Sequence, residues 1–437
     1  MSQSSSSSDP IFSNKYKGYI LLVLTGVYTF NFLDRQLLVI LQESIKAELG
    51  LSDTQLGALT GLMFAAFYVI LGIPIARWAD KSNRKNIVAG SLAIWSLMTA
   101  LSGFVTNYFQ LALARLGVGV GEAGGSPPSH SIISDYFPPD KRATALSVYS
   151  MGIYIGILFG YALGGWIDEN YGWRVAFMAI GIPGIIYALV LFFTVKEPPK
   201  GHSDPQALKT TEESSFWDVI WLLLSKKSFV FLALGCGLHT FGTYGVGNWF
   251  APFLARVHEM PISEIGLALG LVTGLGGMLG TFGGGFLSDF MVKKDVRFYF
   301  WIPIVAGIIN LPFALLSFFS PNTTLVIGLH FFTALFTAVF LAPCLAATHN
   351  LVDAKKRALA SAILFLILNA IGLGLGPLLI GYVSDLLSPQ YGAESLRYAF
   401  CITLVTGVVA MIFFLLAAKH YKAESEVLIA HIDSQSI

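Results

Sequence analysis

The sequence predicts an all-α membrane protein with twelve transmembrane helices in two pseudo-symmetric six-helix bundles. Three observations lead to this prediction: the composition, the number of apolar segments, and a set of short motifs that recurs between the halves. Of the 437 residues, 55% are hydrophobic and only 12% are charged, whereas a soluble domain carries about 25% charged residues. Most of the surface of this chain must therefore face lipid.

The composition also excludes several classes of protein. A net charge of +1 gives no reason to expect nucleic acid or another polyanion as a partner. The cysteines Cys236, Cys344 and Cys401 lie far apart in apolar runs, where we interpret them as packing residues. No metal site is expected, because no metal-ligand spacing occurs. Residues 1–17 are polar and serine-rich and lack the apolar core of a signal peptide, which predicts a disordered cytoplasmic tail.

Twelve segments have the roughly 20 mostly apolar residues that a bilayer-spanning helix needs. We number them spans 1 to 12, and they cover residues 18–42, 56–79, 87–106, 109–136, 143–167, 174–195, 229–256, 264–291, 298–319, 323–348, 358–386 and 396–418. The one long hydrophilic connection, 196–215, divides them six and six. The predicted organisation is a tail (1–17), an N-terminal bundle (18–195), a cytoplasmic linker (196–228), a C-terminal bundle (229–418) and a cytoplasmic tail (419–437).

The basic residues predict the orientation. With both termini in the cytoplasm, 20 of the 27 Lys and Arg residues lie on the cytoplasmic side and four on the other side. Positive charge gathers on the cytoplasmic side of membrane proteins. We therefore expect a multi-pass protein of the plasma or inner membrane with both termini in the cytoplasm.

Three motifs recur after about 210–220 residues, always at the ends of spans. "WADKSNRKN" after span 2 matches "LSDFMVKKD" after span 8, "PDKRATALS" before span 5 matches "AKKRALASA" before span 11, and "GWRVAF" matches "LRYAF". Parallel six-helix halves around a central site are a recurrent transporter architecture.

Over its whole length the chain resembles the major facilitator superfamily. The signature of that superfamily after span 2 is G-x-x-x-D-[RK]-x-G-[RK]-[RK]. Its charged positions correspond here to Asp80, Lys81, Arg84 and Lys85 in "ARWADKSNRK". Ala76 and Asn83 replace the glycines. Span 5 carries a glycine ladder similar to the superfamily's fifth-span motif, without its usual proline.

Three stretches resemble the spinster-like branch: "NFLDRQ", "ELGLSDTQLGALTGLMFAAFYVILGIPIARWAD" and "GVGEAGGSPPSHSIISDYFPPDKRA". The resemblance implies a secondary transporter that works by alternating access. It also points to an amphipathic lipid as substrate, such as a lysophospholipid or a sphingoid lipid.

Two acids and two bases lie inside predicted spans: Asp34 and Arg35 in span 1, Arg115 and Glu122 in span 4. Each costs about 2.5–3.5 kcal/mol at the bilayer centre, so such residues face a cavity and have partners. Neighbours in sequence point about 100° apart on a helix. Asp34 and Arg35 therefore cannot satisfy each other, and we expect pairs between the two helices.

The polar stripes on these helices predict which side faces a cavity. Arg35 shares a helical face with Asn31 and Gln42. Arg115 and Glu122 share a face with Ser126 and Ser129 on span 4. We expect these faces to line the substrate path, with Asn31 and Ser126 beside the charges.

Two interpretations of the four charges stay open. They form a static ion-pair lock, or at least one acid changes protonation during transport. We favour Asp34 and Glu122 as proton-coupling acids, with Arg35 and Arg115 as counter-charges or as ligands of an anionic head group, because planar guanidinium groups suit phosphate and carboxylate. The resemblance to spinster-like transporters implies the same roles.

The charges after span 2 are interpreted in two ways. Asp80, Lys81 and Arg84 form either a solvated basic loop or, as the resemblance implies, a gate. In the gate, Asp80 would lie at the end of the span 11 helix and Arg84 would pair with Asp135 below span 4. We expect these contacts in the outward-facing state and their loss on inward opening.

Spans 7 to 12 contain no mid-membrane charge. Their notable polar residues, expected to contact a cavity, are His239, Thr243, Asn248, Thr337 and Asn369. The alternative for a single histidine is a hydrogen-bonded packing residue. Charge in one half and apolar residues in the other suit an amphipathic substrate.

The sequence thus predicts a proton-coupled secondary transporter of an amphipathic lipid, monomeric, with the bilayer, protons and the substrate as its partners. One alternative is a transporter of small organic anions, and another is a non-transporting sensor on the same scaffold. An enzyme is not expected, because no nucleophile–base or metal constellation occurs. No cofactor is expected, and Gly119-x-Gly121-x-x-Gly124 lies inside an apolar span, where it indicates close helix packing rather than nucleotide binding.

Overall fold

A computed structural model describes residues 12–203, 216–353 and 356–435. For residues 69, 73, 76, 77, 80, 216, 358 and 426–435 it describes the backbone alone. Within these ranges the regular structure is entirely helical, which confirms the predicted all-α class.

The N-terminal bundle is built from spans 1 to 6. Its helices are Asn14–Ile40 (span 1), a short Gln42–Leu49, Asp53–Thr60 and Leu62–Lys81 (span 2), Arg84–Ser102 (span 3), Tyr108–Glu122 and Ser126–Tyr136 (span 4), Pro139–Tyr171 (span 5) and Trp173–Thr194 (span 6).

The C-terminal bundle follows a linker helix, Phe216–Leu224. Its helices are Lys227–Val257 (span 7), Ile262–Met291 (span 8), Phe298–Phe319 (span 9), Thr323–Ala338 and Leu341–His349 (span 10), Arg357–Leu368 and Gly376–Tyr391 joined by a π-helix Asn369–Leu375 (span 11), and a 3₁₀ turn Gly392–Glu394 with Ser395–Ala399 and Cys401–Gln435 (span 12).

Eight helical stretches of the described chain are long and apolar enough to cross a membrane. The last, Leu359–Ser425, is 67 residues long and contains both span 11 and span 12. Spans 1, 3 and 4 are outside this set. Polar residues interrupt the apolar runs of spans 1 and 3, and a turn at residues 123–125 divides span 4 into helices of 15 and 11 residues. Spans 1 and 4 carry the four charges, and span 3 carries buried hydroxyl groups, among them that of Thr99.

Both ends of the chain are helical where the structure describes them. The first helix begins at Asn14 and Phe12 is buried, so the expected disorder of the N-terminal tail is wrong for residues 14–17, and residues 1–11 of that tail lie outside the described residues. The aromatic ring of Phe12 packs 4.9 Å from that of Tyr136. At the other end, the span 12 helix continues past residue 418 to Gln435, with Tyr421 buried. Phe12 and Tyr421 thus pack against the bundles.

The glycine ladder of span 5 packs against span 1. A Cβ atom on Gly152 would lie 2.7 Å from the carbonyl oxygen of Thr25, and one on Gly156 would lie 2.6 Å from that of Thr29. Gly160 and Gly164 meet the next two turns of span 1 just as closely. Only glycine allows this approach, which fixes the position of the segment that carries Asp34 and Arg35.

The two bundles contact each other mainly at one end. We call the end that carries Asn14, the linker helix and Gln435 the terminal face, and the other end the opposite face. Spans 2 and 11 meet near the opposite face, where a Cβ on Gly57 would lie 2.4 Å from the carbonyl oxygen of Pro377. Spans 5 and 8 pack together from the opposite face, where Gly165 contacts Gly266, toward the middle of the helices, where the Tyr154 hydroxyl donates a hydrogen bond to Thr281. This arrangement closes the space between the bundles from the opposite face.

Candidate functional site

The four predicted charges of spans 1 and 4 meet in the interior of the N-terminal bundle. Asp34, Arg115 and Glu122 are 1–2% exposed, and the side chain of Arg35 is 16% exposed. They form two pairs between the helices, which confirms that Asp34 and Arg35 do not neutralise each other.

The first pair joins Arg35 to Glu122. Nε of Arg35 donates a hydrogen bond of 2.8 Å to Oε2 of Glu122, and Nη2 lies 2.7 Å from the same oxygen. The other oxygen, Oε1, is buried without a hydrogen-bond partner in the described structure. One carboxylate oxygen of Glu122 is therefore free to take a proton while the other holds Arg35.

The second pair, Asp34 with Arg115, is looser. Nη1 of Arg115 lies 3.7 Å from Oδ1 of Asp34, beyond hydrogen-bond distance. Oδ1 accepts instead a hydrogen bond of 2.7 Å from the Thr99 hydroxyl. Oδ2 of Asp34 and both Nε and Nη1 of Arg115 are buried without a hydrogen-bond partner among the described residues. This guanidinium thus keeps two buried nitrogens that make no hydrogen bond within the described structure.

Glycines of span 4 bring these side chains together. A Cβ on Gly121 would lie 2.7 Å from the backbone nitrogen of Trp95 in span 3, and one on Gly119 would lie 3.0 Å from the carbonyl oxygen of Phe64 in span 2. The "GVGVGEAGG" stretch is therefore a packing surface. Its last glycines separate the two helices of span 4, and Pro127 and Pro128 open the second of these helices.

Arg35 and Arg115 line a cavity of about 190 Å³ between the two bundles. The guanidinium carbon of Arg35 lies 5.2, 4.8 and 5.1 Å from the ring centroids of Phe32, Phe64 and Tyr68. Aromatic faces stabilise a cation, so this cage holds Arg35 at the cavity wall while one edge of the guanidinium binds Glu122.

The C-terminal bundle supplies the facing wall of this cavity and a second cavity of its own. Thr243 and Asn248 line the central cavity. His239, Thr243 and Thr337 line the second, of about 120 Å³, inside the C-terminal bundle. His239 hydrogen-bonds through Nε2 to the Thr337 carbonyl oxygen at 2.9 Å, which agrees with the packing alternative for this residue.

Asp34 and Glu122 lie behind the arginines and do not line either cavity, and the same holds for three of the residues expected to contact the substrate or the cavity. Asn31 is buried, Ser126 is half-buried at the start of the second span 4 helix, and Asn369 opens the π-helix of span 11. Gln42 is also fully buried, and its amide has no partner in the described structure. The expected stripe on span 1 therefore reaches the cavity only at Arg35, because the turns on either side pack against other helices.

The residues of the predicted gate form a network within one bundle. Nη1 of Arg84 lies 2.5 Å from Oδ2 of Asp135, and its Nε donates to Glu197 at 2.7 Å. Burial disfavours the charge of Arg84, and the hydrogen bonds from Arg84 to these two carboxylates compensate for it. Lys81 is exposed, and the side chain of Asp80 lies outside the described residues.

The Arg84–Asp135 pair confirms the expected partner, and its gating role stays a prediction. Both residues belong to the N-terminal bundle, and the pair is present while the bundles are closed at the opposite face. It therefore does not hold the two bundles together. The third member, Glu197, lies directly after span 6, and this network braces the terminal ends of spans 3, 4 and 6.

A cluster at the opposite face, which we did not predict, does join the bundles. We call Glu43, Asp53, Arg256 and Asp385 the opposite-face lock. Arg256 of span 7 makes two hydrogen bonds to each of Asp53 and Glu43, at 2.6–2.9 Å. Asp385 of span 11 accepts hydrogen bonds from the backbone nitrogens of Asp53 and Thr54, at 3.0 and 2.7 Å. The sequence contained one signal for this cluster. Arg256 is one of only four basic residues assigned to the non-cytoplasmic side, so its position was unusual.

Known proteins resemble this chain over nearly all its length. The model of the Major Facilitator Superfamily matches residues 24–319 and 297–431. A protein of Mycolicibacterium smegmatis described as an MFS-type efflux pump is 34% identical over 406 residues, 92% of each chain. Protein spinster homolog 1 of Xenopus tropicalis is 29% identical over 428 residues, 93% of this chain and 81% of that one.

Among solved structures, a bacterial homolog of the human lysosomal transporter spinster, crystallised inward-facing and unoccupied, has a TM-score of 0.88 to this structure at 33% identity. The match covers 94% of this chain and 99% of that one. Sequence and fold thus agree on the family. The chain belongs to the Major Facilitator Superfamily and is a spinster-like transporter within it.

Proposed function

We propose that the protein is a proton-coupled secondary transporter of an amphipathic lipid with an anionic head group, such as a lysophospholipid or a phosphorylated sphingoid lipid. One observation carries this proposal: Arg115 has two buried nitrogens without a hydrogen-bond partner among the described residues, next to Arg35 on the wall of the central cavity. An anionic oxygen between the two guanidinium groups would use these donors.

In this proposal, transport is coupled to protons because Glu122 and the substrate anion compete for Arg35. Glu122 neutralises Arg35 when the cavity is empty. A proton on the free Oε1 of Glu122 removes the charge that holds Arg35, and Arg35 then binds the substrate anion. Asp34 offers the same exchange to Arg115 through its free Oδ2. Proton and substrate would thus bind together and leave together, which couples their movements.

The contacts between the bundles support an inward-facing conformation. We infer that the terminal face is cytoplasmic, as the basic residues predict, so that the opposite-face lock closes the outer side. Outward opening requires this lock to break, with the bundles rocking about the central site. A monomer in the plasma or inner membrane suffices, because each chain contains both bundles and the cavity.

Uptake by the purified protein in liposomes tests this proposal. We expect an acidic exterior to accelerate the uptake of 1-oleoyl-lysophosphatidic acid by wild type, and Arg35→Gln to abolish the uptake. Arg357→Gln is the matched control, because Arg357 is exposed. Equal uptake with and without the pH gradient would overturn the proton coupling. Binding without any uptake would favour a sensor on the same scaffold.

A second candidate is transport of small organic anions. The central cavity of about 190 Å³ is smaller than the roughly 300–1,000 Å³ of sites for drug-sized ligands, which favours a compact substrate. Mass spectrometry of lipids that co-purify with the protein, together with uptake of a labelled dicarboxylate, distinguishes the two candidates.

A further inference from the structure

The second cavity is a side chamber of the central one. It lies inside the C-terminal bundle between spans 7, 8, 9, 10 and 12, and Thr243, Gly247 and Thr273 line both cavities. We call this cavity the side chamber. A ligand in the central cavity therefore lies directly beside it.

Two polar side chains of the side chamber each have one buried atom without a hydrogen-bond partner in the described structure. His330 is 6% exposed, and its Nδ1 has no hydrogen-bond partner within the described chain. Its Nε2 lies 3.4 Å from the hydroxyl oxygen of Thr273. The imidazole stacks on the ring of Phe250, with centroids 3.8 Å apart and planes at 14°, so the ring is held in place by packing.

Asn310 is the second polar side chain of the side chamber with an atom that lacks a hydrogen-bond partner. Its Oδ1 is buried and unpartnered in the described structure, although its neighbours Ile308 and Ile309 are exposed on the outer face of span 9. The helix thus directs one amide inward, between apolar turns. A buried polar group without a partner costs free energy, and two of them in one chamber indicate a site that a ligand completes.

The chamber is mainly apolar, with a few polar side chains, and it is uncharged. Its lining includes the hydroxyl groups of Thr273, Thr333 and Thr403, and none of its lining residues is charged. A charged group would enter it without a counter-charge, at a high desolvation cost. A hydroxyl group fits, because it donates one hydrogen bond and accepts others, as the amide oxygen of Asn310 and the imidazole of His330 require.

We propose that the side chamber is a second substrate subsite, which binds a hydroxyl-bearing, uncharged part of the ligand while Arg35 and Arg115 bind its anionic group. This inference rests on the proposed function, because it takes the anionic group to lie in the central cavity. It adds that the transporter selects its substrate by a hydroxyl group as well as by charge.

The test compares two lipids that differ in one hydroxyl group. 1-Oleoyl-lysophosphatidic acid has a free hydroxyl on its glycerol, and its 2-deoxy analogue lacks it. Binding of each labelled lipid to the purified full-length protein is measured by scintillation proximity. We expect the hydroxylated lipid to bind about 2- to 10-fold more tightly, the range of one net hydrogen bond.

Substitutions in the side chamber test whether the preference for the hydroxylated lipid arises there. Asn310→Leu and His330→Phe should each reduce the affinity ratio of the two lipids toward 1 and leave the affinity for the 2-deoxy lipid nearly unchanged. Ser317→Ala is the matched control, because Ser317 is also buried and unpartnered in span 9 but does not line the chamber. The ratio does not depend on the fraction of protein that is folded, so a poorly folding variant still gives an answer.

The outcomes separate the two proposals. Arg35→Gln should weaken both lipids equally and keep their ratio. Equal affinities in wild type, or an unchanged ratio in both chamber variants, would overturn the side-chamber subsite and leave the proposed function standing. If neither lipid binds wild type, the proposed lipid substrate is wrong, and the side-chamber inference falls with it.

Discussion

Arg35 directs two guanidinium nitrogens at a single oxygen of Glu122, with Nε at 2.8 Å and Nη2 at 2.7 Å from Oε2. The side chain of Glu122 is fully buried, whereas that of Arg35 reaches the cavity. One member of the pair therefore faces the cavity and the other does not. The exchange of partners at Arg35 is the basis of the first two predictions.

Removing either buried acid should uncouple transport from protons. We expect Asp34→Asn and Glu122→Gln each to reduce pH-driven uptake in liposomes to the level seen without a gradient, because the protonation step is lost. Glu264→Gln, an exposed residue at the start of span 8, is the control. Normal pH dependence in both variants would leave the static ion-pair lock as the better interpretation.

Replacing the arginines by lysine should show that the guanidinium shape is needed. Lysine keeps the charge but presents a single ammonium group in place of the planar fork. We expect Arg115→Lys and Arg35→Lys to weaken binding of the anionic lipid about tenfold or more, since each loses a hydrogen bond to a charged group, worth about 1.5–3 kcal/mol. Scintillation proximity binding measures this. Affinities within twofold of wild type for both variants would contradict it.

Breaking the opposite-face lock should open that face. Arg256→Ala removes the hydrogen bonds to Asp53 and Glu43, and the loss of one partner from a buried charge pair costs about 2–5 kcal/mol. Spin labels at Tyr171 and Pro321, both exposed at the opposite face, should report longer distances in the variant by double electron–electron resonance, with Cys401 replaced by serine.

The control for this prediction is Arg174→Ala, on the same face. Arg174 pairs with Glu48 within the N-terminal bundle, so its loss should leave the distance distribution unchanged. If Arg256→Ala gives the wild-type distribution, the lock does not set the balance between conformations.

The Glu48 carboxylate should give a pH-dependent contribution to stability. A hydrogen bond from Trp173 Nε1, and then the contact with Arg174, hold the pKa of Glu48 below its ordinary value. A lowered pKa means that the contribution is fully present above the ordinary pKa of about 4.3 and is lost as the pH falls through the folded-state pKa. Wild type should melt above Glu48→Gln at pH 6, and the difference should shrink below pH 4.3. A constant difference in melting temperature across this range would contradict the pairing.

The Arg84 network should stabilise the N-terminal bundle without affecting the balance of conformations. Asp135→Asn leaves the buried Arg84 with Glu197 as its remaining acidic partner, and we expect a loss of about 1.5–3 kcal/mol, seen as a lower melting temperature in detergent. The spin-label distances at the opposite face should not change. A changed distribution would contradict this expectation and support the gating role that the resemblance implied.

The sequence was sufficient for the architecture and for the central charges. The bilayer constrains each segment independently of its neighbours. The length of the apolar segments, the distribution of Lys and Arg, and the repeated motifs therefore indicate the architecture without knowledge of the packing. The pairing of span 1 with span 4 also followed from the sequence, because Asp34 and Arg35 point in different directions on one helix.

Several features needed the tertiary structure. Asn31 and Arg35 are one helical turn apart, but the packing of neighbouring helices buries the first and leaves the second at the cavity. The opposite-face lock joins residues more than 200 positions apart. No local pattern specifies such a contact, since it exists only when two bundles are docked.

The amino-acid sequence by itself determined that this chain spans a membrane as two related bundles and that spans 1 and 4 share buried charges. Hydrophobicity and helical geometry depend on residues that are close together in the sequence, so both can be inferred from the sequence. The tertiary structure alone decided which oxygens and nitrogens stay without partners, which face is closed, and that the polar residues of spans 7 to 10 form a chamber. Those properties depend on distances between helices, which are set by close packing at glycines such as Gly156 and Gly121 and not by any single segment.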